Sequence, residues 1–132
     1  LVRKMDHKEI VDYWVTEAEE SLTVAEHLFE KRDFSYSLFF GHLAVEKMIK
    51  AILVKNGNTQ VPRTHNLLRL AKAAQIRLND VQQSSLIRIT AFNLETRYPD
   101  YKKEFRKKCT QQFTRMELEK IREVAKWLKS KL

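Results

Sequence analysis

Residues 36–54, YSLFFGHLAVEKMIKAILV, decide the fold. Almost every turn of this stretch is apolar on more than one side, the pattern of a central, largely buried helix. Yet His42, Glu46 and Lys50 recur at a spacing of four, so they stack on one face. A buried titratable side chain costs several kcal/mol unless it is paired or left partly wet. The stripe therefore predicts a polar network, a cleft or an interface. The helix also has more apolar surface than three neighbours in a small bundle need, which predicts a homodimer.

Working outward, Val11, Trp14, Val15, Ala18, Leu22 and Ala25 follow helical spacing and predict a first helix from about Asp6 to Lys31. Its other face is acidic. Arg32 and Asp33 form a short link, with Asp33 placed to cap the second helix. Asn56-Gly57 is a helix stop, so the two helices form an antiparallel hairpin. Residues 58–63 read as a loop, followed by a short helix to about Ala74. Asn79-Asp80 can cap a helix reaching about Leu94, and Pro99 interrupts any helix through Arg97 and Tyr98. The run from Lys102 to Lys108 is open between a helical turn and an extended start. A last helix is expected from Thr114 to near Ser130, with Thr114 and Glu117 as a capping box. The expectation is all-α: an up-and-down antiparallel four-helix bundle with one additional short helix, residues 1–132 forming a single domain.

Composition agrees. Only 2 Gly and 2 Pro in 132 residues leave little turn chemistry for a sheet protein. No long uncharged apolar run predicts a membrane span, and the N-terminus LVRKMDHKEI has no apolar signal core. The single cysteine, Cys109, cannot form an internal disulfide, which fits a reducing, cytoplasmic compartment. The net charge of +8 is uneven. Residues 1–50 hold 7 Lys/Arg against 10 Asp/Glu, a net of −3, whereas residues 51–132 hold 18 against 7, a net of +11. The second half therefore suits an anionic partner, with nucleic acid or nucleotide first; the plainer alternative is a solvated basic face.

Several chemistries have no sequence signal. Gly41 and Gly57 are isolated, so no phosphate-binding glycine loop is expected. His7, His27, His42 and His65 pair at metal spacing neither with each other nor with Cys109, so no metal and no cofactor is expected. Three clusters can carry chemistry. The first is His42, Glu46, Lys47 and Lys50, a polar network or an internal ion-pair set between helices. The second is Arg63-Thr64-His65-Asn66, which can equally be a helix start. The third is Arg97-Tyr98-Pro99-Asp100-Tyr101, followed by the basic run. A guanidinium suits phosphate and tyrosine stacks on bases. The same segment can instead be a rigid turn in which Arg97 pairs with Glu46 or Glu95.

In this order the clusters resemble the HEPN family. The second helix carries His42-Leu43-Ala44-Val45-Glu46-Lys47-Met48-Ile49-Lys50-Ala51, then Thr64-His65-Asn66-Leu67 follows, then Arg97-Tyr98-Pro99. The likeness spans nearly the whole chain. It implies a helical bundle that commonly dimerises, in a prokaryotic cytoplasm. It also implies a toxin–antitoxin pairing with a minimal nucleotidyltransferase, and association with RNA or nucleotides. One departure bears on activity. Active HEPN ribonucleases carry an Arg and a His separated by four to six residues, but the positions after Arg97 hold Lys102, Lys103 and Glu104. The expectation is thus a binding and partner protein, with Arg97, Tyr98, Lys102, Lys103 and Lys50 meeting ligand phosphate. The alternatives are a divergent metal-independent endoribonuclease, in which Arg97 acts with His42 or His65, and a helical scaffold with no nucleic-acid role.

Overall fold

The computed structural model describes residues 4–58 and 60–132. Leu1, Val2 and Arg3, the start of the N-terminal stretch expected to lack a signal core, and Thr59, in the loop expected after the second helix, lie outside them. The described residues form six helices and no strand: α1 (His7–Glu30), α2 (Phe34–Lys55), α3 (Leu67–Ala73), α4 (Asp80–Arg97), α5 (Pro99–Lys108) and α6 (Gln111–Lys129). Four are long and two are short. None of them is long and apolar enough to cross a membrane.

α2 lies at the centre and touches each of the other five helices. Its Leu38, Val45, Ile49 and Leu53 are fully buried, against Leu67 and Leu70 of α3, Leu86 of α4 and Ile121 and Leu128 of α6. Each such side chain contributes roughly 1.5–3 kcal/mol on leaving water. Gly41 of α2 faces the end of the Ile121 side chain on α6. A Cβ there would stand 2.6 Å from Ile121 Cδ1, closer than packed atoms allow. The apolar surplus of α2 is thus absorbed within the chain. Exposed aliphatic side chains include three on α4, where Val81, Ile87 and Leu94 are 74%, 58% and 44% accessible, besides Met116 on α6 and Met5 before α1.

The helix ends explain where the sequence expectations shift. α1 and α2 both close in Schellman motifs. Asp33 N–H bonds Leu28 O and Arg32 N–H bonds Phe29 O; Asn58 N–H bonds Leu53 O and Gly57 N–H bonds Val54 O. The left-handed residue is Gly57 (φ 93°) after α2 but Arg32 (φ 66°) after α1. Asp33 occupies the N-cap of α2, yet its side chain caps nothing, because its ψ of 69° is not the extended value a capping side chain needs. α4 begins with the expected Asn79 cap, reciprocated by Gln82, and runs on to Arg97. Pro99 forces only Tyr98 out of helical conformation, to ψ 129°. The same proline then starts α5, since its fixed φ and missing N–H suit a first helical position. The basic run is therefore a helix, anchored by Phe105 stacked on Phe92 at 5.8 Å. α6 starts one turn earlier than expected. Thr110 caps it, Thr114 donates to Thr110 O at 2.7 Å, and Glu117 pairs with Arg88 of α4, so the Thr114–Glu117 capping box does not form.

Candidate functional site

The stripe on α2 meets the loop before α3 and the last turns of α4. His42 is fully buried. Its Nε2 lies 2.9 Å from the backbone carbonyl of His65, which can only accept, so Nε2 carries the proton. Nδ1 is then an acceptor, and the Asn93 amide nitrogen donates to it at 3.4 Å. Asn93 Oδ1 in turn accepts from Arg97 Nε at 2.8 Å. Each group fixes the role of the next. Burial pushes the His42 pKa down, against the opposing pull of the His65 carbonyl and the Glu46 charge, so the ring is neutral.

Glu46, one turn on, is also buried. Its Oε1 accepts from His65 Nδ1 at 2.7 Å and its Oε2 from Lys50 Nζ at 3.0 Å. Burial alone would raise the carboxyl pKa. The hydrogen bonds from His65 and Lys50, with the Lys50 charge, outweigh it and hold Glu46 below the ordinary carboxylate value. His65 is held by one ring nitrogen and exposes 54% of its side chain, and its Nε2 has no hydrogen-bond partner among the described residues. A carboxylate that fixes one imidazole nitrogen and leaves the other open can present a base or a hydrogen-bond acceptor to a ligand.

The expected residues thus divide. His42, Glu46, Lys50, His65 and Arg97 share one hydrogen-bonded chain, completed by Asn93. Arg97 is exposed and reaches neither Glu46 nor Glu95; its partner is Asn93, four residues back on α4, and its guanidinium lies 5.5 Å from the Tyr98 ring centroid. Lys47 points elsewhere. It donates to Ser21 Oγ at 2.8 Å and lies 3.7 Å from Glu17, both on α1. Lys50 donates to Glu46 and sits 5.1 Å from the Trp14 ring centroid, so it holds the network. Lys102 and Lys103, with Pro99, Arg106 and Lys107, line an open cleft of about 580 Å³ on α5.

Asn93 and Tyr36 escape sequence reasoning. Asn93 has a signal, its i,i+4 relation to Arg97 on a helix. Tyr36 has none, because its partners Lys102 and Arg106 are on α5. Among the described residues no three His, Cys, Asp or Glu side chains stand together to hold a metal ion. Cys109 is buried, and burial, then Glu95, pushes its thiol pKa up to about 12, which disfavours the thiolate.

Residues 11–131 match the HEPN domain. The chain belongs to the HEPN family. The fold of this HEPN chain is similar to the crystal structure of TT1696 from Thermus thermophilus, with a TM-score of 0.79 at 19% identity, over 92% of this chain and 98% of the other. At that identity the likeness speaks for the fold alone. No protein of curated function matches in sequence.

Proposed function

We propose that this HEPN chain is a helical binding and partner protein that forms a homodimer and acts with a minimal nucleotidyltransferase as a toxin–antitoxin pair in the cytoplasm. It meets nucleotide or RNA phosphate through Arg97, Tyr98, Lys102 and Lys103. The observation that carries this reading is the state of Arg97. Its guanidinium is exposed and aimed by Asn93, next in the chain to the basic face of α5, with no carboxylate partner among the described residues. Phosphate would supply the missing anion. The dimer reading rests on α4, where Ile87, Ala91 and Leu94 fall on one face beside a groove of about 710 Å³ in which Val81, Ile87 and Val124 stand among polar residues of α4 and α6. Capture of the chain with its neighbours from native cells tests the pairing. Binding of a labelled RNA across a salt series tests the ligand: affinity should fall steeply with salt and by about tenfold in Arg97→Ala. RNA binding that ignores both salt and Arg97 overturns the reading.

A second reading draws on the Glu46–His65 pair. In a divergent endoribonuclease, His65 Nε2 would take the proton of a 2′-hydroxyl. That oxygen would bond to the adjacent phosphorus as the bond to the 5′-oxygen breaks, the leaving oxygen gaining a proton from water, with Arg97 offsetting phosphate charge. RNA cleavage lost in both His65→Ala and Arg97→Ala would favour it over the binding reading.

A further inference from the structure

The turn between α1 and α2 packs beside α5 and encloses a cleft of about 270 Å³. It is lined by Arg32, Asp33, Phe34, Ser35, Tyr36, Arg106 and Cys109. Lys102 reaches its rim, its ammonium 5.7 Å from the Tyr36 ring centroid, with the Arg106 guanidinium 5.9 Å from the same ring. The neighbouring Lys102 and Arg106 hold the Tyr36 pKa below its ordinary value. Arg32 is fixed independently. It lies 5.3 Å from the Phe34 ring centroid and donates to Gln111 Oε1 at 3.4 Å.

Three cations thus surround one small cleft, and none has a carboxylate within ion-pair distance among the described residues. Asp33 is the one acid in the lining and pairs with neither guanidinium. Like charges brought together without a counter-charge repel, so the arrangement is completed by an anion. The backbone fixes where Arg32 starts. Arg32 takes the left-handed conformation (φ 66°) that glycine or asparagine adopts at least cost. At the equivalent position the chain uses glycine after α2 (Gly57) and glutamine after α3 (Gln75, φ 59°). An arginine at this place keeps its guanidinium over the cleft despite the backbone cost.

We propose that the cleft framed by Arg32, Tyr36, Lys102 and Arg106 is a phosphoryl-anion site, separate from Arg97, that holds one phosphate of a polyphosphate or of an RNA backbone. Guanidiniums from two segments would grip the oxygens bidentately, and the phenol and ammonium would close the rim. The site rests on the reading of α5 as a phosphate-facing helix, and extends it to the α1–α2 turn.

The test uses inorganic pyrophosphate by titration calorimetry and a short single-stranded oligouridylate by fluorescence anisotropy, both at low salt. Arg32→Asn suits the left-handed backbone and Arg106→Gln keeps the helix, so neither should shift the melting curve. Each should weaken pyrophosphate binding by about tenfold or more, with a smaller loss for Tyr36→Phe. If only the oligonucleotide binds, and the same two substitutions weaken it as much, the site serves a polymer backbone and the inference stands. If neither ligand loses affinity in Arg32→Asn and Arg106→Gln, the inference is overturned. The double variant Lys103→Glu, Lys107→Glu separates the two claims. Oligouridylate binding that survives it, beside pyrophosphate binding lost in Arg32→Asn, sinks the wider α5 reading and leaves the cleft. The converse pattern sinks the cleft alone.

Discussion

Replacing Glu46 by glutamine removes one negative charge from the centre of the polar chain and almost nothing else. The amide can keep one acceptor for His65 Nδ1, which stands 2.7 Å from Oε1 in the parent. Its NH2 then faces the Lys50 ammonium, which in the parent donates to Oε2 at 3.0 Å. Two donors would meet where a donor met a carboxylate, and Lys50, only 17% exposed, would keep its charge with no counter-charge. A hydrogen bond to a charged group contributes about 1.5–3 kcal/mol. The upper half of that range applies, since Lys50 cannot recover full hydration where it sits. The expected loss is about 2–3 kcal/mol at pH 7, a fall of roughly 6–12 °C in Tm for a domain of this size. The pH dependence carries the sign. The folded Glu46 pKa is depressed, so its contribution is complete above the ordinary carboxylate pKa and is lost as pH falls through the lower folded value. Glu46→Gln should therefore lose most at neutral pH and converge on the parent protein in acid. Thermal melts by circular dichroism between neutral and acid pH measure this. A variant that melts with the parent at pH 7 refutes the buried network.

The packing and the surface set four further outcomes. Gly41→Ala should destabilise by about 1–2 kcal/mol, since overpacking exceeds the helix-propensity gain; with Ile121→Val the double variant should lose less than the sum, read from urea midpoints. Arg97→Ala should cost about 1 kcal/mol, because the buried Asn93 Oδ1 loses its charged donor and only water can replace it, while RNA affinity falls about tenfold; a Tm loss with RNA affinity unchanged would make Arg97 structural. Ile87→Lys with Leu94→Glu should convert a dimer to a monomer in sedimentation equilibrium without loss of helix; an unchanged dimer would place the interface elsewhere. Glu117→Gln should cost about 1–3 kcal/mol by loosening α6 from Arg88, whereas Lys107→Ala, whose partner Glu104 is exposed, should cost almost nothing.

The bundle is legible in the sequence because its long helices bury one face each at the helical period, and α2 buries nearly all of itself. The errors sit where one residue serves two ends. Pro99 reads as a stop for α4, but it spoils only the residue before it and is a good first residue for the next helix. Reading it only as a stop hides α5 and leaves Arg97 in a turn, whereas Arg97 lies on the last turn of α4. Thr114 and Glu117 match a capping box by spacing, yet Thr110 lies one turn upstream and takes the cap, freeing Glu117 to reach α4. The same limits apply to the dimer surface. An apolar excess on α2 is visible in the sequence; that five neighbours consume it is a property of the packed chain.

The site is legible only along single helices. His42, Glu46 and Lys50 stand out because four residues make one turn, and Asn93 can be found the same way from Arg97. No periodicity reports a partner on another element. Glu46 meets a histidine 19 residues on, and His42 meets an asparagine 51 residues on. Those two contacts decide what the network is. Without His65, Glu46 and Lys50 form an ordinary i,i+4 pair; with it, a buried carboxylate aims an exposed imidazole. Without Asn93, Arg97 is one more surface cation; with it, the guanidinium is oriented by a neutral, buried histidine whose tautomer is set by the His65 backbone. The loop before α3 therefore ties the two ends together, giving its ring to Glu46 and its carbonyl to His42. A change in that loop should move Arg97 and the imidazole together, a coupling that a double-mutant cycle between His65 and Arg97 on RNA affinity would detect.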